Sequence, residues 1–486
     1  MPRKNSGHCT HQIILDGGLN RLLKFSYLCK CTEIGGKKNI MKTIWEPARQ
    51  IPICWEGDIC VLGGSCTGLF AAVRAARLGA SVCVVEKQNC FGGMATAGLV
   101  NVWHSLYDFD DQERIIAGLS LEVLERLAAQ GQMEITQTRA PSNRFNPIAL
   151  IRQLDLLAQE NGVHTLLHTQ YAGMLRRDDA IDCVFVQNKD GRCAIRAQIY
   201  IDATGDGDLM RDVGCERYMH EGIQPPSACF LLKGNTNGEL ISWLISQHGA
   251  EFGLDDDWGW FGHVPGLPGI SFRADNHVFG FDLSRAEDLT QAEFEGRRRA
   301  YAFEALLKKY VSKDYGIVNM CSTIGIRETA HYVTRYQANE KDLLEGARFA
   351  DAILNGTYCV DIHHSQDNGI TVKYLDGNMH TTYGKGTVTV ESNWRHEAGL
   401  DDNYSRYYQV PFSILVQNIC PNLIPAGRML HADNGAFGAL RVMINTNQLG
   451  EAAGVAAYIC VDQNLPIQSI DGVAVRKLLA RGGSAL

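Results

Sequence analysis

The stretch that decides the fold runs from residue 58 to residue 86 and reads DICVLGGSCTGLFAAVRAARLGASVCVVE. It begins with a short apolar run, Ile59–Leu62, which predicts a buried strand, and continues into a glycine-bearing turn over residues 63–68. Apolar residues then recur at helical spacing until Gly79, and a second apolar strand follows over residues 81–85. Strand, turn, helix and second strand in this order predict a βαβ unit with parallel strands.

Each part of this unit suits the binding of a dinucleotide. Gly63 permits the tight turn, Gly68 lets the helix approach the strand, and the free N–H groups at the helix start attract a pyrophosphate. Glu86 lies 23 residues after Gly63, which is close to the spacing of the acid that binds a ribose hydroxyl pair. Ser65 replaces the middle glycine of the usual fingerprint, and its hydroxyl could donate to a phosphate. An ordinary glycine-bearing loop is the alternative interpretation.

Length and composition set limits on the rest of the chain. The 486 residues exceed one hydrophobic core, and 45% hydrophobic and 21% charged residues are typical of a globular protein. The formal charge of −8 provides no basic field for nucleic acid, so we expect no such partner. No apolar run is long enough for a membrane span and no signal peptide is apparent, so we expect a cytoplasmic protein.

The cysteines and the N-terminal segment carry no predicted chemistry. The 16 cysteines include no C-x-x-C pair, so neither a zinc site nor an iron–sulfur ligand run is predicted, and most should be reduced core thiols. Residues 1–50 carry nine Lys/Arg against three acidic residues. We interpret them as an N-terminal extension outside the functional domain, either an appendage or a transit-like segment, with Met41 as a plausible alternative start.

A second glycine cluster, KQNCFGGMATAG, occupies residues 87–98, and a plain NAD domain would not need it. Three further stretches follow in order: residues 145–147 with 200–208, residues 327–329, and residues 422–454. Together these motifs resemble the FAD-dependent oxidoreductases of the glutathione-reductase type. The later stretches are similar to the branch related to the flavin subunit of heterodisulfide reductase, and the resemblance covers about residues 55–470.

The resemblance implies FAD as the cofactor. Two of the residues that it implicates, Gly450 and Ala452, would begin or line a closing helix that points toward the flavin; a tight helix–sheet contact without a cofactor is the alternative. The full set of expected cofactor-binding residues is Gly63, Gly64, Ser65, Thr67, Gly68, Glu86, Lys87, Gly92, Gly93, Ala95, Thr96, Ala203, Thr204, Gly205, Gly427, Arg428, Asn447, Gly450 and Ala452.

The resemblance also implies the domain organisation. We expect an α/β protein in which a Rossmann-like FAD-binding domain is discontinuous in sequence and holds an inserted α+β substrate domain. The expected boundaries are residues 1–50 for the extension, 51–210 for the first part of the FAD-binding domain, 211–413 for the insertion and 414–486 for the second part of the FAD-binding domain.

The candidate catalytic residues are His431, His104, Arg327 and Arg441. Histidine has a suitable ordinary pKa for proton transfer, although a histidine that only supports its neighbours by hydrogen bonds is the alternative in both cases. The two arginines could fix an anionic substrate or compensate a reduced flavin, and Arg441 could instead support its own loop.

Two other residue clusters are compatible with ligand binding, but they are less specific than the cofactor motifs. The stretch 361–364, Asp-Ile-His-His, is compatible with a metal, but no third ligand can be placed from spacing, so we predict no metal site. The run 255–260, with three aspartates and two tryptophans, could bind a cation or a sugar; an exposed turn with buried tryptophans is the favoured interpretation.

Absent motifs narrow the reaction. No C-x4-C pair lies near the second glycine cluster, which disfavours a dithiol reductase, and no second glycine fingerprint indicates an NADPH domain. We therefore expect an FAD-dependent dehydrogenase or oxidase that moves a hydride between a small organic substrate and flavin N5, with an external electron acceptor. The alternatives are a flavin electron-transfer subunit with a redox partner protein, whose iron–sulfur cluster would lie on another chain, and a nucleotide-binding protein without turnover. The oligomeric state stays open.

Overall fold

The chain divides into two units, Met1–Gln50 and Ile51–Leu486. The structure is a computed structural model that describes residues 33–34, 37–38, 43–134, 136, 142–234, 237–254, 260–274, 276–366, 369–383 and 388–486. In the first unit it describes an antiparallel strand pair, Glu33–Ile34 and Lys37–Lys38, and the segment 43–50. The rest of the predicted N-terminal extension lies outside the described residues, as do residues 255–259 of the aspartate and tryptophan run.

A seven-stranded mixed sheet forms the centre of the second unit. Its strands in chain order are β1 (Ile53–Leu62), β2 (Val82–Val85), β3 (His164–Leu166), β4 (Gln170–Arg177), β5 (Ala180–Asn188), β6 (Gly191–Asp202) and β7 (Leu423–Pro425). Their order across the sheet is β3-β2-β1-β6-β5-β4, with β7 beside β6. Strands β1, β2, β3, β6 and β7 are parallel, whereas β4 and β5 form an antiparallel meander with β6.

The predicted α/β fold class and the βαβ unit are confirmed. Alternate residues of β1 lie in two different cores, with Ile59 and Val61 on one face of the sheet and Cys60 and Leu62 on the other. Burial on both faces explains why the stretch reads as a continuous apolar run rather than an alternating one. The strand starts at Ile53, upstream of that run.

Two helices pack against each other on one side of this sheet. Helix α1 (Cys66–Arg77) connects β1 to β2, and helix α2 (Met443–Gln463) lies along it. A Cβ atom on Gly450 would overlap the carbonyl oxygen of Thr67, and one on Gly454 would overlap that of Ala71. Gly450 and Gly454 of the closing helix are therefore needed for a close helix–helix contact, which was not predicted from the sequence.

A buried ion pair joins the same two helices. Arg74 and Glu451 are 4% and 1% exposed, and Nε of Arg74 donates to Oε2 of Glu451 at 2.6 Å. The other carboxylate oxygen accepts from the backbone N–H of Leu119 at 3.1 Å, at the start of a third helix. The guanidinium also donates to the carbonyl of Gly482 and to the hydroxyl of Ser484. One ion pair thus connects α1, α2, the helix Leu119–Ala128 and the C-terminal segment.

Smaller sheets and helices are built beside the central sheet. One antiparallel sheet consists of Phe261–His263, Ile270–Arg273, Phe230–Lys233 and Gly316–Met320 in this order, and a second consists of Val360–His363, Ile370–Lys373, Asn378–Tyr383 and Val388–Asn393. The minor strand groups are Val102–Trp103 with Asn143–Phe145 and Met133–Glu134, Arg217–Tyr218 with His331–Tyr332, and Ala352–Gly356 with Tyr408–Pro411. The remaining α-helices are Leu119–Ala128, Pro147–Glu160, Asp208–Val213, Gly238–His248, Ala286–Tyr310, Glu340–Leu344, Trp394–Glu397, Asn434–Leu440 and Gly472–Arg481.

Residues 51–486 cluster as one unit, and the division of this unit at residues 210 and 413 stays a prediction. In the part of the chain that the structure describes, every helix is too short or too polar to cross a lipid bilayer.

Candidate functional site

A cavity of about 950 Å³ brings most of the predicted site residues together. The predicted cofactor-binding residues that line it are Gly63, Ser65, Thr67, Glu86, Lys87, Gly92, Gly93, Ala203, Thr204, Gly205, Gly427, Arg428 and Asn447. Three of the four candidate catalytic residues, His104, Arg327 and Arg441, line the same cavity. The predicted residues outside its lining are Gly64, Gly68, Ala95, Thr96, Gly450, Ala452 and His431.

The first glycine turn has the geometry of an anion-binding helix start. Gly63 adopts a φ of +99°, in the left-handed region, and a Cβ there would overlap the carbonyl of Ala203. Ser65 caps α1, because its hydroxyl oxygen accepts from the N–H of Gly68 at 3.4 Å. A Cβ on Gly68 would in turn overlap the carbonyl of Gly63. Gly68 therefore closes the turn by packing, while the helix start itself lines the cavity.

Glu86 connects the first turn to the second glycine cluster. Its two carboxylate oxygens accept from the N–H groups of Gly64 at 2.6 Å and Gln88 at 2.7 Å. The N–H of Gly92 then donates to the carbonyl of Gly64 at 2.9 Å. The side chain of Thr96 supports this loop from outside the cavity by donating to the carbonyl of Phe91 at 2.6 Å. Glu86 thus organises the turn and still lines the cavity, since each carboxylate oxygen has a second lone pair.

The end of β6 supplies the next wall of the cavity. Asp202 is fully buried and accepts from the N–H and hydroxyl of Thr204 at 3.1 and 2.7 Å. Four residues further on, Asp206 accepts from Nη2 of Arg428 at 2.6 Å and from the hydroxyl of Thr329 at 2.8 Å. Burial alone would raise the pKa of Asp206, but Arg428 and Thr329 hold it below its usual value. The residues 202–206 and 427–428 are therefore held together by charge, at the carboxyl ends of β6 and β7.

The start of α2 forms a further part of the wall. Val442, Met443, Thr446 and Asn447 line the cavity at this helix start. Oδ1 of Asn447 is buried and has no hydrogen-bond partner among the described residues, although its Nδ2 donates to Ser120 at 3.3 Å. A buried acceptor without a partner is costly, so this atom is available to a ligand in the cavity.

His104 is one of the candidate catalytic residues that face the cavity. Its Nδ1 lies 3.1 Å from the hydroxyl oxygen of Ser142, and its ring lies against that of Tyr358 at an interplanar angle of 36°, with 3.9 Å between the ring centres. No described residue hydrogen-bonds its Nε2. Burial lowers the pKa of His104 to about 4, so the ring is neutral near pH 7.

The stretch 361–364 contributes to the same cavity. Oδ2 of Asp361 accepts from the hydroxyl of Tyr358 at 2.8 Å and from Nη2 of Arg441 at 3.1 Å. Nε2 of His363 lies 3.6 Å from the other oxygen, and Nδ1 of the same ring lies 3.1 Å from Nε2 of His277. Burial alone would raise the pKa of Asp361, but His363, Arg441 and Tyr358 hold it well below its usual range. Burial, with the charge of a nearby arginine, lowers the pKa of His363 to about 3.

Sequence reasoning missed several of these residues. Asp361 and His363 were considered for a metal alone, and His277 and Tyr358 carry no local signal. One hairpin, Ile370–Lys373 with Asn378–Tyr383, has side chains that alternate between its two faces. This alternation was a usable sequence signal, because one face of the hairpin lines the cavity. The lining residues on that face are Ile370, Val372, Thr382 and His380, continued by Tyr374 and Asn378.

His431 is not placed where the sequence suggested. It does not line the cavity, and its Nδ1 lies 3.2 Å from the backbone nitrogen of Thr334. Arg428 lines the cavity, whereas Met429 and Leu430 lie in two different hydrophobic cores, so successive side chains of this segment point in different directions. We therefore correct its position to a supporting histidine behind the cavity wall.

The side chains of residues 327, 328 and 329 point in three different directions. Arg327 faces the cavity, Thr329 binds Asp206, and Glu328 is buried between two imidazoles. Oε1 of Glu328 lies 2.6 Å from Nδ1 of His220 and 3.1 Å from Nε2 of His331. Burial alone would raise the pKa of Glu328, but the two histidines hold it at about 2.

The cluster of His220, Glu328 and His331 supports the cavity wall from behind. The far nitrogens of the two rings lie 3.0 Å from the backbone carbonyls of Ala432 and Leu430. The cluster thereby ties the segment that carries Arg327 to the segment that follows Arg428. The three side chains are close enough to share a metal ion. Each imidazole nitrogen that faces Glu328 already has a hydrogen-bond partner, and the expected absence of a metal stays a prediction.

Comparison with known families identifies the protein class. Residues 58–479 match the family described as FAD dependent oxidoreductase. The chain belongs to this family. It is an FAD-dependent oxidoreductase, and its cofactor is FAD. No curated protein sequence matches the chain.

Several solved structures resemble the chain only distantly. They include a geranylgeranyl bacteriochlorophyll reductase-like protein from Thermoplasma acidophilum, with 9% identity, 88% of this chain and 82% of that chain covered, and a TM-score of 0.41. p-Nitrophenol 4-monooxygenase from Pseudomonas putida DLL-E4 has 12% identity, coverages of 88% and 86%, and a TM-score of 0.41. The myxobacterial chondrochloren halogenase has 14% identity, coverages of 88% and 79%, and a TM-score of 0.40. Likenesses at this level say nothing about the substrate of the chain.

The residues in the cavity fit FAD on structural grounds. At the capped start of α1, the backbone N–H group of Thr67 has no acceptor among the described residues, and Thr67 lines the cavity, which suits the pyrophosphate. Gly63 and Gly68 allow the backbone contacts of the turn that a Cβ atom would block. Glu86 and the buried acceptor of Asn447 are suited to hydroxyl and N–H donors of the cofactor.

Replacing Glu86 with alanine should weaken FAD retention by roughly tenfold or more, because the N–H groups of Gly64 and Gln88 lose their shared acceptor. The measurement is the FAD content after dialysis, with the dissociation constant from flavin fluorescence. Glu56→Ala, at an exposed glutamate on β1, is the matched control. Equal FAD content in the two variants would contradict the role of Glu86.

Proposed function

We propose that this FAD-dependent oxidoreductase oxidises a small organic substrate by transfer of a hydride to flavin N5. The observation that carries the proposal is that one cavity is lined by most of the predicted FAD residues and also by His104, Arg327 and Arg441. Its volume is about 950 Å³, at the upper end for ligand pockets. Because FAD has to occupy much of that space, the second molecule has to be small.

The chain's own residues would handle the proton. When FAD is bound, it supplies the two-electron acceptor for the hydride that leaves a substrate C–H bond. His104 would take the proton of the adjoining O–H or N–H group on Nε2, so that a C=O or C=N bond can form. Its interaction with Ser142 orients the ring. Burial keeps the ring neutral near pH 7 but makes it a weaker base, and the charge of Asp361 opposes this effect. Asp361, held by Tyr358 and Arg441, would stabilise the positive charge that develops nearby.

An external acceptor would remove the electrons. Among the described residues, every pair of parallel strands belongs to the one central sheet. This supports a chain without a nicotinamide domain of its own, because a second dinucleotide-binding domain would need a second parallel sheet. The finer resemblance to the flavin subunit of heterodisulfide reductase suggests a redox partner protein as the acceptor. That is the second candidate function.

An anaerobic flavin-reduction screen tests these proposals. The holoenzyme is mixed with hydroxy acids, sugars, amines and unsaturated acids, and the oxidised flavin absorbance is followed. Bleaching by one small molecule supports the oxidation of a substrate. Bleaching only by a reduced carrier protein favours the electron-transfer subunit. A purified protein that neither contains nor takes up FAD would overturn both.

A further inference from the structure

Two arginines in the cavity carry more positive charge than their neighbours compensate. Arg327 and Arg441 both line the cavity. In the described part of the chain, Asp361 forms an ion pair with Arg441, with 3.1 Å between its carboxylate and Nη2, and no carboxylate forms an ion pair with Arg327. The same carboxylate also accepts from the hydroxyl of Tyr358.

Arg327 is held by neutral groups. Its Nη1 donates to the carbonyl of Pro225 at 2.6 Å and to the hydroxyl of Ser227 at 2.8 Å. Within the described ranges, Nε and Nη2 have no hydrogen-bond partner, and no carboxylate lies within ion-pairing distance of the guanidinium. Burial, followed by the charge of Arg441, lowers the pKa of Arg327 to about 10. The group therefore stays charged near pH 7 without a counter-ion.

Arg441 also has unused donor capacity. It follows directly after the helix Asn434–Leu440, and its Nη2 donates to the backbone and side-chain oxygens of Asp361. Its Nε is buried and has no partner among the described residues. A buried donor that is left without an acceptor costs about 1–3 kcal/mol, so this atom indicates a ligand group that completes the site.

The charge count follows from these contacts. The two guanidinium groups carry two positive charges, and Asp361 supplies one negative charge. Burial keeps the rings of His104 and His363 neutral. Among these side chains one positive charge is therefore uncompensated, and an uncompensated buried charge is strongly destabilising unless a ligand pairs with it.

We propose that Arg327 and Arg441 form a carboxylate subsite, so that the substrate is a small organic acid. This inference rests on the proposed function, because it assigns the substrate class of the same cavity. Guanidinium groups bind a planar carboxylate through two parallel hydrogen bonds, and the open Nε and Nη2 of Arg327 offer such a pair. The subsite would orient the C–H bond of the acid and leave Nε2 of His104 to take the proton.

The experiment uses the FAD-loaded oxidised protein and two isosteric probes, propionate and its neutral amide propionamide, at constant ionic strength. Binding is followed by the change in the flavin absorbance spectrum and by calorimetry, so no turnover is needed. We expect propionate to bind at least tenfold more tightly than propionamide. Arg327→Gln should remove this preference, and Arg327→Lys should restore part of it. The matched control is Arg297→Gln, a part-exposed arginine on the helix Ala286–Tyr310, which should bind like the wild type.

Each other outcome overturns the inference. Equal binding of the two probes, or an unchanged preference in Arg327→Gln, would show that no carboxylate subsite exists there. Tighter binding of inorganic phosphate than of propionate would assign the site to a phosphate ester. If propionate does not bind and Arg327→Gln lowers the flavin reduction potential, the charge serves the anionic reduced flavin instead.

Failure of the inference and failure of the proposed function can be told apart. If a neutral substrate bleaches the flavin of the holoenzyme, the proposed function is supported and the carboxylate subsite is contradicted. If the protein does not retain FAD, the proposed function is contradicted before any probe is added.

Discussion

Replacing Glu451 with glutamine should lower the free energy of unfolding by about 3–5 kcal/mol, because Arg74 is then left with an uncompensated buried charge. Glutamine keeps the shape, and its one carbonyl oxygen can still accept from the N–H of Leu119, but the change removes both the charge and the acceptor that faces Arg74. Burial raises the pKa of Glu451, although Arg74 opposes this, so the free energy of unfolding is measured at pH 8 and at lower pH, and the loss should grow with pH as the carboxylate ionises. Urea unfolding followed by circular dichroism gives the free energy.

Two further variants test whether the loss of stability comes from the buried ion pair. Glu160→Gln removes a partner of Arg126 that is 46% exposed, and exposed pairs contribute about 1 kcal/mol or less. The double variant Arg74→Met with Glu451→Met replaces the whole pair by apolar groups and should recover much of the loss. A loss for Glu451→Gln no larger than for Glu160→Gln would show that the buried pair does not hold the helices together. If Glu451→Gln does not fold, a folded double variant still confirms the argument, and an unfolded one contradicts it.

Replacing His104 with glutamine should slow anaerobic flavin reduction by about 100- to 10,000-fold, which is the usual contribution of a general acid or base. Glutamine retains hydrogen-bonding groups near Ser142 but cannot accept the proton on an imidazole nitrogen. FAD content should stay at the wild-type level, because the known contacts of His104 are to Ser142 and Tyr358 and not to the nucleotide-binding turn. Stopped-flow absorbance at the oxidised flavin band measures the rate.

The matched control for this prediction is His431→Gln. This histidine comes from the same sequence-based set of candidates but contacts the backbone of Thr334 behind the cavity wall. Its replacement should leave the reduction rate within a few-fold of wild type. A fast His104→Gln variant together with a slow His431→Gln variant would reverse the two assignments and remove His104 as the proton acceptor.

The nucleotide-binding half of the protein was largely predictable because its signals are local. Three local signals follow each other within the 29 residues from 58 to 86. They are a turn that needs Gly63 at a φ of +99°, a helix capped by Ser65, and Glu86 at the end of the second strand. The backbone in such a unit has few alternatives, since parallel strands require a helical crossover. Most of the predicted cofactor residues accordingly line one cavity, while Gly68 and Gly450 act through helix packing.

The substrate side was predictable only in part. His104, Arg327 and Arg441 were selected because they adjoin cofactor motifs, and all three reach the cavity. His277 and His363 are 86 residues apart and meet at 3.1 Å. No spacing rule connects such residues, because their approach depends on how a loop and the strand Val360–His363 pack side by side.

The sequence by itself determined the βαβ unit and the helix start that suits a pyrophosphate, because each of these depends on residues close together in the chain. It also indicated the FAD-dependent oxidoreductase family, because several short motifs follow each other in order. Only the tertiary structure decided which polar side chains share a cavity and which support it from behind. His431 and Glu328 point away from the cavity although their neighbours Arg428 and Arg327 face it. The direction of a side chain depends on the path of the backbone and on the partners brought from distant segments, and neither is encoded in a local pattern.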